Sequence, residues 1–415
     1  MRLPLAPGSA LQVFSCVLIA AHCLSLASIY ADQEVVPGVR LRSILGDPAS
    51  GIARAVVVEE GALVHTALMF PDDQDGRTHG AGDARAQAAR VLASIELALQ
   101  QGRTRLEALV RLHVYVADPS VTPLVETLLA ERFGGRPVKP AVTFVERDMP
   151  HAGVLVAMDA IAATASTIGA AGARRLEVPN LPQRTARASH AAVQPAGPFV
   201  VVSGRAARGE FEPAIQETMA QLRGDLAGVG LTLGDVVQIK SFLGDMRRAG
   251  RLEEIVAEAF EGDRVPPQVV AEWRQTDVPA EIEVIATASR PGGGRLRLEH
   301  IEPISARYSR VVRVNSGQPV FISGLHGRSA DPAAQVGEMF AELQGILRAA
   351  GSDLRHLVKA TYYVADSTAD ERINTIRPTI YDAERPPAAS KIAVRGTGRS
   401  GKGSTLDMIA VTAAP

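Results

Sequence analysis

The sequence has few cysteines, few aromatic residues and almost no net charge. Its two cysteines, Cys16 and Cys23, both lie near the amino terminus, which excludes a disulfide framework and a cysteine-ligated metal centre. Aromatic residues make up 4% of the chain, so a stacking surface for single-stranded nucleic acid is not expected. The net charge of −1 gives no basic field that would attract nucleic acid. The chain does have 415 residues, 46% of them hydrophobic, which is enough for two or three domains with buried cores.

The first residues follow the order of a secretory signal peptide. Arg2 is followed by an apolar run over residues 11–26 and then by small residues that include Ala27 and Ala31. We therefore predict a signal peptide over residues 1–31, cleaved after Ala27 or Ala31, and a secreted or periplasmic mature protein that has no cysteine and no membrane contact. An uncleaved anchor is the alternative, because the run approaches the roughly 17 residues that can span a bilayer.

A ten-residue pattern occurs three times in the chain. Each copy alternates apolar and polar residues and then ends at an aspartate, as a half-buried strand does. The copies are residues 109–118, 236–245 and 357–366. A repeat at this spacing predicts tandem copies of one structural unit.

The sequence around each copy repeats as well. Helical stretches with a glutamine near their start precede the three strands, the glutamines being Gln87, Gln216 and Gln335. Second helices follow near residues 124–133, 252–260 and 373–381, and each is followed by a strand that opens at a proline and by a last strand. We predict three α+β domains over residues 39–165, 175–289 and 299–413, each with helices on one face of its sheet.

These units resemble the RidA/YjgF family of reactive-intermediate deaminases. In the third unit, Tyr308-Ser-Arg-Val-Val-Arg-Val is similar to the family's Tyr-Ser-Gln-Ala opening, and Ile322-Ser-Gly324 to its Ser-Gly strand. The segment from Leu357-Val-Lys to Tyr-Val-Ala-Asp366 is similar to its Asp-Val-Val-Lys strand. In the second unit, Glu281-Ile-Glu-Val-Ile-Ala286 is close to its terminal Glu-Ile-Glu-Ala-Ile-Ala.

The resemblance implies a chorismate-mutase-like fold that assembles as a trimer with ligand pockets between neighbouring units. Three fused copies would then close the same ring within one chain, as a monomeric pseudo-trimer, because each sheet has one helix-covered face and needs a partner for the other. The alternatives are three independent domains, or copies that pair with another chain in a higher oligomer.

The resemblance also implies a reaction, the hydrolysis of an imine or enamine of an amino acid to a keto acid and ammonia. An arginine two residues after the proline of Pro-Ala-Arg-Ser holds the substrate carboxylate in that family. Counted from the proline of each unit, this place is taken by Val142, Val269 and Ala389. No unit keeps the arginine, so we predict that the usual deamination of small imino acids is lost and that the clefts favour a less charged ligand.

The other two parts of the family's site are each kept once. The first Glu of Glu-Ile-Glu, which positions the attacking water, is matched by Glu281, whereas the other units have Ala157 and Thr405. The tyrosine near the start of the domain is matched by Tyr308, whereas the second unit has Ala188. Glu281 and Tyr308 are therefore the candidate catalytic residues.

Three further residues complete the candidate ligand-binding set. Ser203 and Ser323 belong to the Ser-Gly strands, which the resemblance places at the clefts. Arg274 lies seven residues past its proline and is a candidate replacement for the missing arginine. Arg147 has the same spacing, but a solvated charge at the end of a strand is the simpler interpretation of both arginines.

Other catalytic signatures are missing from the sequence. The histidines lack metal-ligand spacing, and neither a phosphate loop nor a nucleophile motif occurs, so we predict no metal and no cofactor. Three hypotheses remain for the function. The first is an exported protein whose interdomain clefts bind a small molecule without deaminating it. The second is an active deaminase or related hydrolase that uses Glu281 with Arg274 or Tyr308, and the third is a scaffold whose pockets are filled by side chains.

Overall fold

A computed structural model describes residues 30–165, 172–274, 277–288 and 297–413. Most of the predicted signal peptide lies outside these ranges, and its last two residues, Tyr30 and Ala31, belong to the first strand. No helix in the described ranges is both long enough and apolar enough to cross a bilayer.

The described chain forms three consecutive α+β units that share one sheet of 19 strands. The first unit contains β1 (Tyr30–Val36), β2 (Val39–Leu45), β3 (Ala53–Glu60), β4 (Ala62–Thr66), α1 (Ala84–Gln101), β5 (Leu109–Val116), α2 (Thr122–Phe133), β6 (Ala141–Glu146) and β7 (Val156–Thr164). The second contains β8 (Arg174–Leu176), β9 (Ala191–Gln194), β10 (Phe199–Arg205), α3 (Phe211–Gly228), β11 (Val236–Leu243), α4 (Ala249–Glu258), β12 (Gln268–Glu272) and β13 (Ala280–Thr287). The third contains β14 (Leu298–Ser305), β15 (Tyr308–Val314), β16 (Pro319–Leu325), α5 (Pro332–Ala349), β17 (Leu357–Val364), α6 (Ser367–Ile380), β18 (Ala388–Ala393) and β19 (Ser404–Val411).

The recurring aspartate ends the repeated strand and caps the turn that follows it. Asp366 accepts the N–H of Ala369 at 3.0 Å and caps α6. Asp245 and Asp118 accept main-chain N–H groups two residues further on, at 3.1 and 2.8 Å. An aspartate at this point satisfies N–H groups that have no partner within a helix, which accounts for its recurrence without a catalytic role.

Two of the three recurring glutamines are also structural. Gln87 donates to the carbonyl oxygens of Gly80 and Gly153 and accepts the N–H of Leu155 at 2.7 Å, so it ties the start of α1 to the loop before β7. Gln335 makes the corresponding bonds in the third unit. Gln216 also lies near the start of its helix, α3, but it is exposed and does not make the corresponding bonds.

The three units close into a ring through their edge strands. Antiparallel pairs join β4 to β9, β10 to β15 and β16 to β3, so that the third unit pairs with the first. The helices lie outside this curled sheet and pack on it to form one core in each unit. The inner faces of the three units meet around a common axis, where apolar residues of all three form a further core. In this structure the chain forms the intramolecular pseudo-trimer that the sequence predicted.

A layer of buried charges crosses this axis. Asp159, Glu283 and Asp407 occupy the same place in β7, β13 and β19, one acid from each unit. The buried cations of the layer are Arg111, Lys240 and Lys359. Three acids and three cations balance one another, as buried charges must unless they are to cost several kcal/mol each.

The charges of this axial layer form pairs between different units. Arg111 of the first unit pairs with Asp407 of the third, and Lys359 of the third lies 2.8 Å from Glu283 of the second. His113 has both ring nitrogens within 2.8 Å of a carboxylate oxygen, one from Asp159 and one from Asp407. Burial lowers the pKa of His113 to about 3, so the ring is neutral and leaves the balance of the three acids and three cations unchanged. Since Asp159 belongs to the first unit and Asp407 to the third, His113 bridges these two units.

Removal of one acid from the axial layer should destabilise the whole ring. Asp407→Ala leaves Arg111 buried without its acid and His113 with Asp159 alone, and we expect the free energy of unfolding to fall by about 3–5 kcal/mol. The measurement is chemical denaturation of the full chain. The control is Glu371→Ala, an exposed acid on α6, which should change stability by less than about 0.5 kcal/mol. An equal effect of both variants would contradict the role of the layer.

Candidate functional site

Three equivalent clefts lie where one unit meets the next. They form where the segment after β4 meets β12, where β10 meets β18 and where β16 meets β6, and we call them the 1–2, 2–3 and 3–1 clefts. One hydrogen bond across each cleft is, in this order, Leu68 N–H to the carbonyl oxygen of Gln268 at 2.9 Å, Ala389 N–H to Ser203 Oγ at 2.8 Å and Val142 N–H to Ser323 Oγ at 2.8 Å.

The strand register defines which residues are equivalent in these clefts. The facing residues of the parallel strands are Leu112 and Val142, Ile239 and Gln268, and Ala360 and Ala389. Val142, Gln268 and Ala389 therefore occupy one place, on the helix-covered face of the sheet. A polar residue, Gln268, stands in this place in the second unit.

The prediction that Val269 occupies this place was wrong by one residue. Val269 lies opposite Lys240, faces the axis and is fully buried. The cause is the pair Pro266-Pro267, because counting two residues from Pro266 gives Gln268 and counting from Pro267 gives Val269. The correction leaves all three places without an arginine.

Ser203 and Ser323, predicted to bind ligand, join neighbouring units in this structure. Each hydroxyl donates to a main-chain carbonyl oxygen and accepts a main-chain N–H group. The partners of Ser203 are Ser309 at 2.6 Å and Ala389 at 2.8 Å, and those of Ser323 are Ala53 at 2.5 Å and Val142 at 2.8 Å. The 1–2 cleft has Ala67 in the corresponding place and so lacks this hydroxyl bridge.

Glu281 lies in the 2–3 cleft against the backbone of Gly204. A Cβ atom on Gly204 would lie 2.0 Å from Glu281 Oε1, so the carboxylate fits there because residue 204 is glycine. Glu281 Oε1 is buried and makes no hydrogen bond to the described residues. Burial raises the pKa of Glu281 to about 7, and the neighbouring Glu283 adds to the rise, while Ser390 and Arg310 oppose it.

A guanidinium that the sequence analysis did not assign lies beside this carboxylate. Arg310 Nη1 donates to the carbonyl oxygen of Gly204 at 3.4 Å, and its Nε is buried without a hydrogen-bond partner among the described residues. The guanidinium carbon is 5.7 Å from the ring centre of Tyr308. The structure thus brings Glu281 and Tyr308 to one cleft from different units, with Arg310 next to both. The alternation of Tyr308-Ser-Arg310 places tyrosine and arginine on one face of a strand, which was the available signal.

Arg274 and Arg147 do not share the role that their spacing suggested. Arg274 is exposed, and its main-chain N–H donates to the carbonyl oxygen of Ala393 at 2.7 Å across the boundary between the second and third units. Arg147 is buried, donates to the carbonyl oxygen of Val270 at 2.5 Å and lies 5.5 Å from the ring centre of Phe70. Burial lowers the pKa of Arg147 to about 10. The interpretation of Arg147 as a solvated charge was wrong, because it packs between the first and second units.

The 1–2 cleft contains a cavity of about 230 Å³. Its apolar wall includes Met69 and Phe70 from the segment after β4, and Leu181 from the connection between the first and second units. Gln268 and Glu253 of the second unit line the opposite side. The residue in the place of the family's arginine therefore borders open space in this cleft.

Two of the charged side chains at this cavity form an ion pair, and a third has a carboxylate oxygen without a hydrogen-bond partner in the described part of the chain. Arg184 Nε donates to both carboxylate oxygens of Glu253, at 2.8 and 3.0 Å, and its guanidinium lies 4.8 Å from the ring centre of Phe70. Asp72 Oδ1 is buried and has no hydrogen-bond partner among the described residues. Burial raises the pKa of Asp72. None of these residues belongs to a repeated motif, which is why the sequence analysis missed them.

The three units match a single family. The family model described as Endoribonuclease L-PSP matches residues 49–164, 179–288 and 300–402, which together are most of the chain. The chain belongs to this family, in three tandem copies of the RidA/YjgF type, and the predicted family and α+β fold are confirmed.

Known relatives are similar to this chain over a part of its length. Protein DfrA from Myxococcus xanthus is 29% identical over 113 residues, which are 25% of this chain and 85% of that protein. A solved YjgF family member from Neisseria meningitidis is 23% identical over 29% of this chain and 100% of its own, with a TM-score of 0.23. A member of the YjgF/YER057c/UK114 family from Mycobacterium tuberculosis is 26% identical over 25% of this chain and 86% of its own, with a TM-score of 0.22.

The raised pKa of Glu281 predicts a dependence of stability on pH. The native carboxyl keeps its proton up to about pH 7, whereas the ordinary value is 4.5, so ionisation destabilises the fold as the pH rises between these values. We expect the stability of Glu281→Gln relative to wild type to increase by about 1–3 kcal/mol from pH 4.5 to pH 8. Urea unfolding at both pH values measures it, with exposed Glu371→Gln as the control. A difference that stays constant with pH would rule out the raised pKa.

Proposed function

We propose that this protein is an exported member of its family whose interdomain clefts bind a small molecule, and that it lacks the usual imino-acid deaminase activity. The observation that carries the proposal is Gln268, which stands in the place of the carboxylate-binding arginine and lines the cavity of the 1–2 cleft. An apolar cavity of 150 Å³ can hold benzene, so about 230 Å³ has room for a ring with a few further atoms. This volume argues against a purely structural role for the 1–2 cleft.

The proposed loss of imino-acid deamination follows from the missing carboxylate-binding arginine. Loss of a bidentate arginine from a buried site costs about 2–5 kcal/mol of carboxylate binding. The 2–3 cleft keeps the acid Glu281 but has Ala389 in the place of the arginine, and the 3–1 cleft has Thr405 and Val142. No cleft combines the acid with a cation in the family's place.

A second candidate function follows from Arg310. With a pKa near 7, Glu281 would accept a proton from the water that attacks the C=N carbon and pass it to the nitrogen, which gives a carbinolamine. It would then accept the proton of the carbinolamine hydroxyl and pass it to the amino group, as the C–N bond breaks and ammonia leaves a keto acid. Arg310, which bonds the carbonyl oxygen of Gly204 and lies beside Tyr308, would bind the substrate carboxylate. This alternative is a deaminase or related hydrolase of altered specificity that works in the 2–3 cleft.

Ammonia release from freshly generated 2-aminoacrylate distinguishes the two functions. We expect the wild-type chain to give the uncatalysed rate, because no cleft has the arginine in the family's place. An accelerated rate that is lost in both Glu281→Ala and Arg310→Gln would establish the alternative. Exposed Glu371→Gln is the control for handling and folding.

An arginine returned to the family's place tests whether its absence explains the proposed loss of deaminase activity. Ala389→Arg places an arginine in the cleft that keeps Glu281, and we expect an increase in ammonia release of at least about tenfold over wild type. The matched control is Val142→Arg, which makes the same change in the 3–1 cleft, where Thr405 replaces the acid, and should give no increase. Equal rates for both variants would show that the missing arginine does not explain the loss.

Export is the remaining part of the proposal and is supported by the order of charge, apolar run and small residues in the leader. We expect the mature protein to begin at Ser28 or Asp32 and to contain no cysteine. Mass spectrometry of the protein from cell fractions tests this, and an intact Met1 in the cytosolic fraction would overturn it.

A further inference from the structure

We propose that the cavity of the 1–2 cleft binds a primary amine carried on a small apolar body, and that it discriminates against carboxylates. The inference rests on the proposed ligand-binding function and specifies the chemistry of its ligand. It is carried by buried polar atoms that border the cavity without partners and by the sign of the charges around them.

Two unpartnered atoms of the second unit define the first half of the site. Gln268 is 7% exposed, and its Nε2 lies 3.5 Å from the carbonyl oxygen of Glu253, which can only accept a hydrogen bond and so fixes the orientation of the amide. Gln268 Oε1 is left buried and without a partner among the described residues. Ser189 is 2% exposed and its Oγ is likewise unpartnered. Both residues line the cavity.

The first unit supplies the other half of the proposed site. Asp72 lines the same cavity, and its buried Oδ1 has no hydrogen-bond partner within the described part of the chain. Gln268 Oε1 can accept hydrogen bonds but cannot donate them, and the same holds for Asp72 Oδ1 when the carboxyl group is ionised. The hydroxyl of Ser189 can accept a hydrogen bond as well. An unsatisfied buried polar group costs about 1–3 kcal/mol, so a ligand that donates to these three atoms recovers that cost.

The balance of charge at the cavity favours a cation. Its acids are Asp72 and Glu253 and its cation is Arg184, whose Nε is held by both oxygens of Glu253. His190 also lines the cavity, and its Nδ1 accepts the N–H of Val178 at 3.0 Å, so this nitrogen carries no proton. Burial lowers the pKa of His190, which keeps the ring neutral. Burial raises the pKa of Asp72, whereas His151, Arg184 and a hydrogen bond from Thr78 lower it. Its Oδ1 still has no hydrogen-bond partner among the described residues, so Asp72 is the acid that keeps a free acceptor atom at the cavity.

An ammonium group fits this set of atoms, whereas a carboxylate does not. An ammonium has three N–H donors for three acceptor atoms and a positive charge for Asp72. A carboxylate has no donor, would meet two further acceptor oxygens and would be repelled by Asp72. The apolar wall of Met69, Phe70 and Leu181 suits a hydrocarbon body of about the size of a benzene ring.

The test compares three probes of similar shape on the full chain by isothermal titration calorimetry at pH 7.5. Benzylamine carries the cation, benzyl alcohol is neutral with one O–H donor, and benzoate carries the anion. We expect benzylamine to bind at least about tenfold more tightly than benzyl alcohol, and benzoate to show no binding at millimolar concentration.

Variants of the lining residues locate the site. Asp72→Asn should weaken benzylamine about tenfold or more and change benzyl alcohol by less than about threefold, because it removes the charge and keeps the shape. Gln268→Arg restores a guanidinium and should reverse the preference, so that benzoate binds more tightly than benzylamine. Gln268→Leu, which removes the acceptor without adding a charge, serves if the arginine variant does not fold. The control Glu371→Gln should bind all three probes as wild type does.

The outcomes separate this inference from the function on which it rests. Wild-type binding of benzoate or benzyl alcohol as tight as that of benzylamine, abolished by Gln268→Leu, would overturn the amine assignment and leave ligand binding in the 1–2 cleft intact. Binding of benzylamine that neither Asp72→Asn nor Gln268→Leu weakens would place it outside this cavity and would also overturn the assignment. Failure of all three probes to bind would overturn the amine assignment, whereas the proposed function is tested separately by ammonia release.

Discussion

Opposite charges buried where the three units meet constrain the rest of the structure. Each charge costs several kcal/mol to remove from water, and the cost is offset when a partner from another unit is in place. The Arg111–Asp407 pair joins the first unit to the third, and the Lys359–Glu283 pair joins the third to the second. Since the pairs differ, they specify which unit lies next to which. The position of each cleft follows from this closure.

Ring closure produces three clefts at equivalent places in the fold, each with a different composition. In two of them a serine hydroxyl bridges the strands of neighbouring units, and in the 1–2 cleft Ala67 leaves that bridge out. In the 2–3 cleft the carboxylate of Glu281 packs against the backbone of Gly204, beside the guanidinium of Arg310. The 1–2 cleft instead has open space lined by acceptor oxygens. The chemistry of each cleft therefore depends on a few side chains at one boundary and not on the shared fold.

The sequence predicted what depends on local pattern. Alternation of apolar residues predicted β5, β11 and β17, and their order predicted three tandem units. The expectation that these strands are half-buried was wrong, because all three are buried along their whole length: their polar residues face the common axis and not solvent. The sequence did not predict Gln268, because one extra proline shifts the count along β12 and the register is set by pairing with β11. Arg310 and the cavity were also missed. Their roles depend on which unit packs against them, and that is decided by contacts far apart in the sequence.

Fusion of the units has a consequence for how many molecules one chain can hold. In a symmetric homotrimer every substitution appears three times, so all sites must share one specificity and fill with the same stoichiometry. In this chain each cleft is formed by its own residues, so each can change alone: the 1–2 cleft has Gln268 in place of the arginine, while the 2–3 cleft keeps Glu281. A ligand suited to the space between the first two units would saturate at one molecule per polypeptide, and the occupied molecule would have no threefold symmetry.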